Sequence, residues 1–294
     1  MAKVFGINTK IRGKVGEYIY RQTKVGTVVS EAPVKPITPL RTQSQMNIRT
    51  QWANLGAIYK QFDSMLRRGF EELPTHMSVY NAFIQANLGV VKVYITKRMK
   101  LNGGAILAPY QITRGSLPSI SMAKNSNNKL VSSVALGSLS VTATTTVAQF
   151  SQAVIDNNTS FLEGDQLTFF HGIQSIDTVT RTPRATIKGY KVVLSTAEDT
   201  KLWDVVDRIG FSVTDNCLAT SQQITNGAAV WVHSRETADG ALKVSTQLFF
   251  VENSALATYQ GRTAFTAAAN SYGGINSAAV YLQPEVVGLD PVTP

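Results

Sequence analysis

Residues 42–68 read TQSQMNIRTQWANLGAIYKQFDSMLRR. Within them Ile48, Trp52, Leu55, Tyr59, Phe62 and Leu66 recur at intervals of 4, 3, 4, 3 and 4, the spacing that lines up one face of an α-helix. Arg41, Arg49, Lys60, Arg67 and Arg68 lie mostly off that stripe. Thr42 or Ser44 can accept the first free backbone N–H groups, and Gly69 with Pro74 ends the helix. A second helix is expected from about residue 75, with Val79, Tyr80, Phe83, Ile84 and Leu88 apolar. The two form a helical hairpin, and their aromatics read as core.

Upstream, Gly13, Gly16 and Gly26 punctuate Val15, Tyr18, Tyr20, Val25, Val28 and Val29. That pattern predicts two or three strands with a turn at 24–27. So few short strands bury little by themselves and need another surface to pack on. Residues 31–41, EAPVKPITPLR, carry Pro33, Pro36 and Pro39. Proline fixes φ and disfavours helix before it, so this is an extended, polyproline-like arm. It can reach a neighbouring subunit or lie on its own domain.

Downstream, 90–95 reads as a strand, followed by the basic run Lys97, Arg98 and Lys100 and a turn at Asn102-Gly103-Gly104. Residues 105–145 are β-prone and rich in Ser and Thr, with Leu136, Leu139 and Val141 suggesting strands. A short helix is expected at 146–155, because Val147, Phe150, Ser151 and Val154 share a face. Strands are expected at 166–170, 185–194, 229–233, 242–251 and 278–282, and helical spacing at 200–208. Asp239-Gly240 is a hairpin turn; residues 256–269 are helical or loop. The fold class is α+β: a basic β-hairpin and Pro-rich arm (1–41), a helical hairpin and strand (42–104), a mainly β body with short helices (105–284), with an immunoglobulin-like sandwich as one form, and an extended tail (285–294).

The chain has 294 residues, a net charge of +9, 16% charged residues and one cysteine, Cys217. No apolar run reaches the roughly 18 residues of a membrane span, and a single cysteine allows no intrachain disulfide. The charge is uneven. Residues 1–110 hold 16 Lys+Arg against 5 Asp+Glu, or +11, and residues 111–294 hold 12 against 14, or −2. This asymmetry suits a polyanion or an acidic protein surface, but the basic residues are spread out rather than clustered, so solvated helix faces or a protein contact account for it better than nucleic acid does.

Catalytic motifs are missing. There is no GxxxxGK[ST], GxGxxG, GxSxG or HExxH. His76, His171 and His233 are isolated in sequence, and a structural or surface role accounts for His171, His233 and Cys217. Glu198 and Asp199 suit a first helical turn. Asp204 and Asp207, three apart on one expected helix, could share a face but lack a third ligand. No cofactor is expected.

The stretch GKVGEYIYRQTKVGTVVSEAP at 13–33 and VKPITPLRTQSQMNIRTQWANL at 34–55 resembles a family of uncharacterised proteins of Bacteroidota and their phages. The likeness rests on the Gly13–Gly16 hairpin, the strand at 25–29, the arm at 33–39, Arg41-Thr42 and the Gln-rich helix start at 43–52. ITRGSL at 112–117 and TQLFFV at 246–251 add to it. The resemblance implies no activity. It implies a host range of Bacteroidota and their tailed phages, with a structural protein of a crAss-like Bacteroides phage as the expected identity.

With no catalytic motif, one cysteine, Ser/Thr-rich β segments and arms at both ends, the first expectation is a virion structural protein, assembled in the bacterial cytoplasm into an oligomeric neck or tail ring. Its partners would be copies of itself and other virion components, such as portal, ring or tail proteins, with no membrane contact. Tyr18, Tyr20, Val28, Pro33, Pro36 and Pro39 are the expected oligomer contacts. The alternative is a genome-associated or capsid-decorating protein, with Lys10, Arg12, Lys14, Lys97, Arg98 and Lys100 near DNA. A hydrolase ranks last and needs His171 or His233 to meet a carboxylate.

Overall fold

Helix α1 (Gln43–Gln61) starts where the apolar spacing places it, capped by Thr42 rather than Ser44, but it ends at Phe62 instead of running on to Gly69. The Thr42 hydroxyl accepts from Gln45 N at 3.1 Å, while Gln45 Oε1 accepts from Thr42 N at 3.2 Å, a reciprocal capping box. The computed structural model describes residues 12–23, 26–32, 41–62, 65–66 and 69–275. Lys10, the 24–27 turn in part, Val25, Pro33, Pro36, Pro39, the strand expected at 278–282 and the tail lie outside the described residues.

Half of the α1 stripe sits as expected: Leu55, Phe62 and Leu66 are buried. Ile48 and Trp52 are not; they are 49% and 40% exposed. Met46, Thr50, Ala53, Asn54 and Ile58 face inward instead. Polar residues hold core positions there because their groups are bonded: Thr50 Oγ1 donates to Met46 O at 2.8 Å, and Asn54 grips the main chain of Ile106. A count of apolar residues alone misses satisfied polar ones.

Helix α2 (Val79–Asn87), capped by Ser78, starts four residues later than expected and packs on α1. Residues 90–95 make no strand. Val90 is exposed, Val93, Tyr94 and Ile95 are buried, and Tyr94 N donates to Tyr259 O at 2.9 Å. The apolar run is extended chain held by a 3-10 turn (Leu256–Tyr259). The basic run becomes a short helix, α3 (Lys97–Leu101).

The body is organised by one antiparallel sheet. Its strands β7 (Gln166–Ile176), β8 (Pro183–Val193), β11 (Gly227–Glu236), β12 (Leu242–Val244) and β14 (Phe250–Glu252) run in the order β12-β11-β7-β8, with β14 also on β11. β11, GAAVWVHSRE, is buried for eight consecutive residues, the mark of a strand covered on both faces. Successive side chains alternate. Ala228, Val230 and Val232 join a core with α1, α2 and Phe170. Ala229 and Trp231 join a second core with Leu167, Phe169 and Phe211. The helices, read in sequence as a unit at 42–104, therefore share a core with the β body.

The second core is closed by another sheet, β5 (Met122–Lys124), β6 (Lys129–Ala135), β10 (Cys217–Gln223) and β9 (Ser212–Thr214), in the order β5-β6-β10-β9. Helix α4 (Val147–Asn157) also packs there. All four residues expected on its inner face, Val147, Phe150, Ser151 and Val154, are buried. The result is three layers: helices, central sheet, second sheet. Two sheets face each other, as in an immunoglobulin domain, but neither order matches its ABED and CFG arrangement.

Other expectations shift in detail. Leu136, Leu139 and Val141 follow β6 in turns rather than strands. The 200–208 stretch splits into α5 (Leu202–Val205) and a 3-10 turn (Arg208–Gly210). The strand expected at 242–251 breaks into three: β12 and β14 pair with opposite ends of β11, while β13 (Gln247–Leu248) turns away to pair with β4 (Gln111–Thr113). The 112–117 and 246–251 stretches are thus neighbours. Helix α6 (Gly261–Ser271) packs on α1 and α3.

Residues 104–110, all buried except Pro109, run between the helices and the central sheet without regular structure. Their main-chain groups need partners, and side-chain amides supply several. Asn54 Oδ1 accepts from Ile106 N at 2.8 Å and its Nδ2 donates to Ile106 O at 3.0 Å. Asn87 does the same for Gln111, at 2.7 and 2.8 Å. Gln174 accepts from Leu107 N at 2.8 Å and donates to Ala105 O at 3.1 Å. Burial pushes the hydroxyl pKa of Tyr110 upward, against the opposing hydrogen bond from Asn54.

Candidate functional site

The N-terminal strands β1 (Gly13–Val15), β2 (Tyr18–Gln22) and β3 (Thr27–Glu31) form a separate three-stranded antiparallel sheet. Gly16, at φ +59, makes its first turn with nothing near its absent Cβ. The register sets two faces. Val15 pairs with Tyr18, and Tyr20 with Val29, so these four share one face. Lys14 pairs with Ile19, and Arg21 with Val28, which puts them on the other. Of the expected oligomer contacts, Tyr18 and Tyr20 therefore meet on the apolar face, and Val28 sits among cations. Val15, Tyr18, Val28 and Val29 are 48–51% exposed. β3 is exposed along its whole length.

Of the expected polyanion contacts, Arg12 and Lys14 lie at β1, while Lys97, Arg98 and Lys100 lie exposed on α3. They lie on two elements with different neighbours: β1 packs on β2, and α3 packs on α1 and α6.

The hydrolase reading needed a histidine beside a carboxylate, and one is present. His233 Nε2 lies 2.7 Å from Asp165 Oδ2. Arg235 clamps the same carboxylate through Nε at 2.6 Å and its terminal nitrogen at 2.7 Å, and Leu162 N donates to it at 2.8 Å. Burial works to raise the Asp165 pKa, but the hydrogen bonds from Arg235, His233 and Leu162 outweigh it and hold the carboxyl at about 2. An ionised carboxylate only accepts, so the His233 Nε2–H donates. The His233 ring stacks on Phe161, with centroids 4.0 Å apart. Ser245 Oγ is nearby but accepts from the His233 main-chain N–H at 3.0 Å, not from the ring. His233 and the Asp165 side chain are both 1% exposed. The arrangement ties the 158–165 turn to β11; it carries no nucleophile–base contact of the kind acyl transfer needs.

His171 is half-buried beside Phe169. Burial lowers its pKa and the Lys188 charge adds to this, while the Asp207 charge opposes. Asp204 and Asp207 fall on different elements. Asp207 caps the 208–210 turn through Ile209 N at 3.2 Å and accepts from Tyr190 OH at 3.3 Å. Cys217 is half-buried at the start of β10. Among the described residues no three His, Cys, Asp or Glu side chains gather to hold a metal ion, and no helix is long and apolar enough to cross a membrane.

Sequence reasoning missed two features. The first is the pairing of Asp165 and Arg235 beside His233, whose signal was His-Ser-Arg at the end of an apolar strand: polar and charged side chains alternating on one face of a buried strand require partners. The second is a shallow groove of about 480 Å³ lined by Gln45, Ile48, Arg49, Trp52, Ala53 and Lys100. It lies where the apolar stripe of α1 faces outward.

No protein-family model, curated protein or solved structure matches the chain.

Proposed function

We propose that this chain is a structural subunit of a tailed-phage virion that assembles into an oligomeric neck or tail ring. Its N-terminal sheet seats on the next subunit through Val15, Tyr18, Tyr20 and Val29. One observation carries the assembly reading: a thin sheet holds an aromatic and aliphatic face half open to water. A three-stranded sheet is stable when its apolar face is covered, and exposed apolar clusters mark contact sites. The phage setting rests on the likeness of 13–55 to proteins of Bacteroidota and their phages. Mass measurement tests the assembly. The full chain is expected to form a closed oligomer, and Tyr18→Arg, at a position exposed in the subunit, is expected to shift it to the monomer.

A second reading, a genome-associated or capsid-decorating protein, is favoured by Lys14 and Arg21 on the opposite face and by exposed Lys97, Arg98 and Lys100 on α3. Phosphate contacts weaken steeply with salt. This reading predicts duplex DNA binding at about 50 mM salt that is lost near 200 mM; an absence of binding at the lower salt discards it.

A further inference from the structure

We propose that the groove beside Trp52 is the seat of the chain's own C-terminal segment, residues 276–294. The groove is apolar and positive. The Trp52 indole N–H donates to Tyr80 OH at 2.8 Å, which occupies the ring's one polar atom, and the part of the ring not packed on Tyr80 is open beside exposed Ile48. Arg49 and Lys100 flank the apolar surface, and neither forms an ion pair with an acidic side chain among the described residues. Such a site suits an apolar segment with carboxylates and no cations.

Residues 276–294, NSAAVYLQPEVVGLDPVTP, have that chemistry. Val280, Tyr281, Leu282, Val286, Val287 and Leu289 alternate with Glu285 and Asp290, and there is no Lys or Arg. The chain also leaves the fold at the right place. α6 packs on α1 and α3. The Arg41 guanidinium donates to Gly273 O at 2.8 Å, and Lys97 N donates to Ser271 Oγ at 2.9 Å. The charge of Arg49, itself a groove residue, lowers the Tyr272 pKa against the larger upward push of burial. From Arg41 to Ala53 along α1 is about 18 Å, well inside the reach of about 60 Å of the following segment. The inference stands apart from subunit docking by the N-terminal sheet.

The test is acrylamide quenching of Trp52 in the full chain carrying Trp203→Phe, with Trp231 buried and bonded to Gly210 O. Glu285→Lys with Asp290→Lys is expected to raise the quenching constant at least about twofold at low salt, since two surface attractions become repulsions. Adding Arg49→Glu and Lys100→Glu is expected to restore it. In the Trp203→Phe chain with its tail unchanged, quenching is expected to rise between about 0.1 M and 1 M salt, where the screening length falls from about 10 to about 3 Å. Quenching that ignores both tail charge and salt overturns the proposal. Protection of Trp52 that is lost on dilution overturns the assignment to the chain's own tail and leaves the N-terminal interface untouched.

Discussion

The Asp165 carboxylate receives four hydrogen bonds, from Leu162 N, His233 Nε2 and two Arg235 nitrogens. Removing one partner of a buried charged cluster strands the others, at a cost of about 3–5 kcal/mol. Asp165→Asn is therefore expected to lower the urea midpoint sharply at neutral pH. The pH dependence has a definite sign. The folded pKa, about 2, lies below the unfolded value of about 4, so the contribution is complete above about pH 4 and is lost as pH falls towards 2. Urea titrations across that window should show a loss of about 2 kcal/mol in the wild type that Asp165→Asn lacks. Equal acid sensitivity in the two proteins would contradict the assignment. The sequence announced this cluster only by its form, His-Ser-Arg on a buried strand, because the carboxylate lies 68 positions away from His233.

At the scale of elements, what was legible followed from local periodicity. α4 was readable because its cap, Thr146 with Gln149, and its four inward residues all lie within one short segment. α1 was half legible. Its outer half carries apolar residues that face the groove, while Thr50 and Asn54 take the core positions through hydrogen bonds that no hydropathy pattern records. The 242–251 stretch had the composition of one strand, but the chain changes partner twice within it, a decision made by tertiary contacts rather than propensity. The buried amides yield a sharp expectation. Asn54→Leu leaves Ile106 N and O without their partner in a dry interior, and unpaired buried groups cost about 1–3 kcal/mol each. The variant should lose that much stability in equilibrium unfolding, whereas Gln43→Leu, at a half-buried position in the first turn of the same helix, should lose far less. Equal losses would deny the amide its bracing role.

At the scale of the whole molecule, described cations of the basic N-terminal third appear on two kinds of surface. The N-terminal sheet has an apolar face and a cationic face; the α1 and α3 surface joins cations to an exposed tryptophan. The three-layer body buries its own hydrophobic groups in two cores on either side of one sheet. It satisfies itself, while the N-terminal sheet does not, and the sequence already suggested that difference through short strands punctuated by glycine. In the proposed assembly the body would be the mass of the subunit and the sheet its connector. The account stands or falls on whether that connector joins copies of the chain. The most direct measurement is the native mass of the full chain beside that of Tyr18→Arg at equal concentration and salt. A closed oligomer that collapses to folded monomers on this single substitution is the predicted result; a wild-type chain that is already monomeric, or a variant that assembles unchanged, contradicts it.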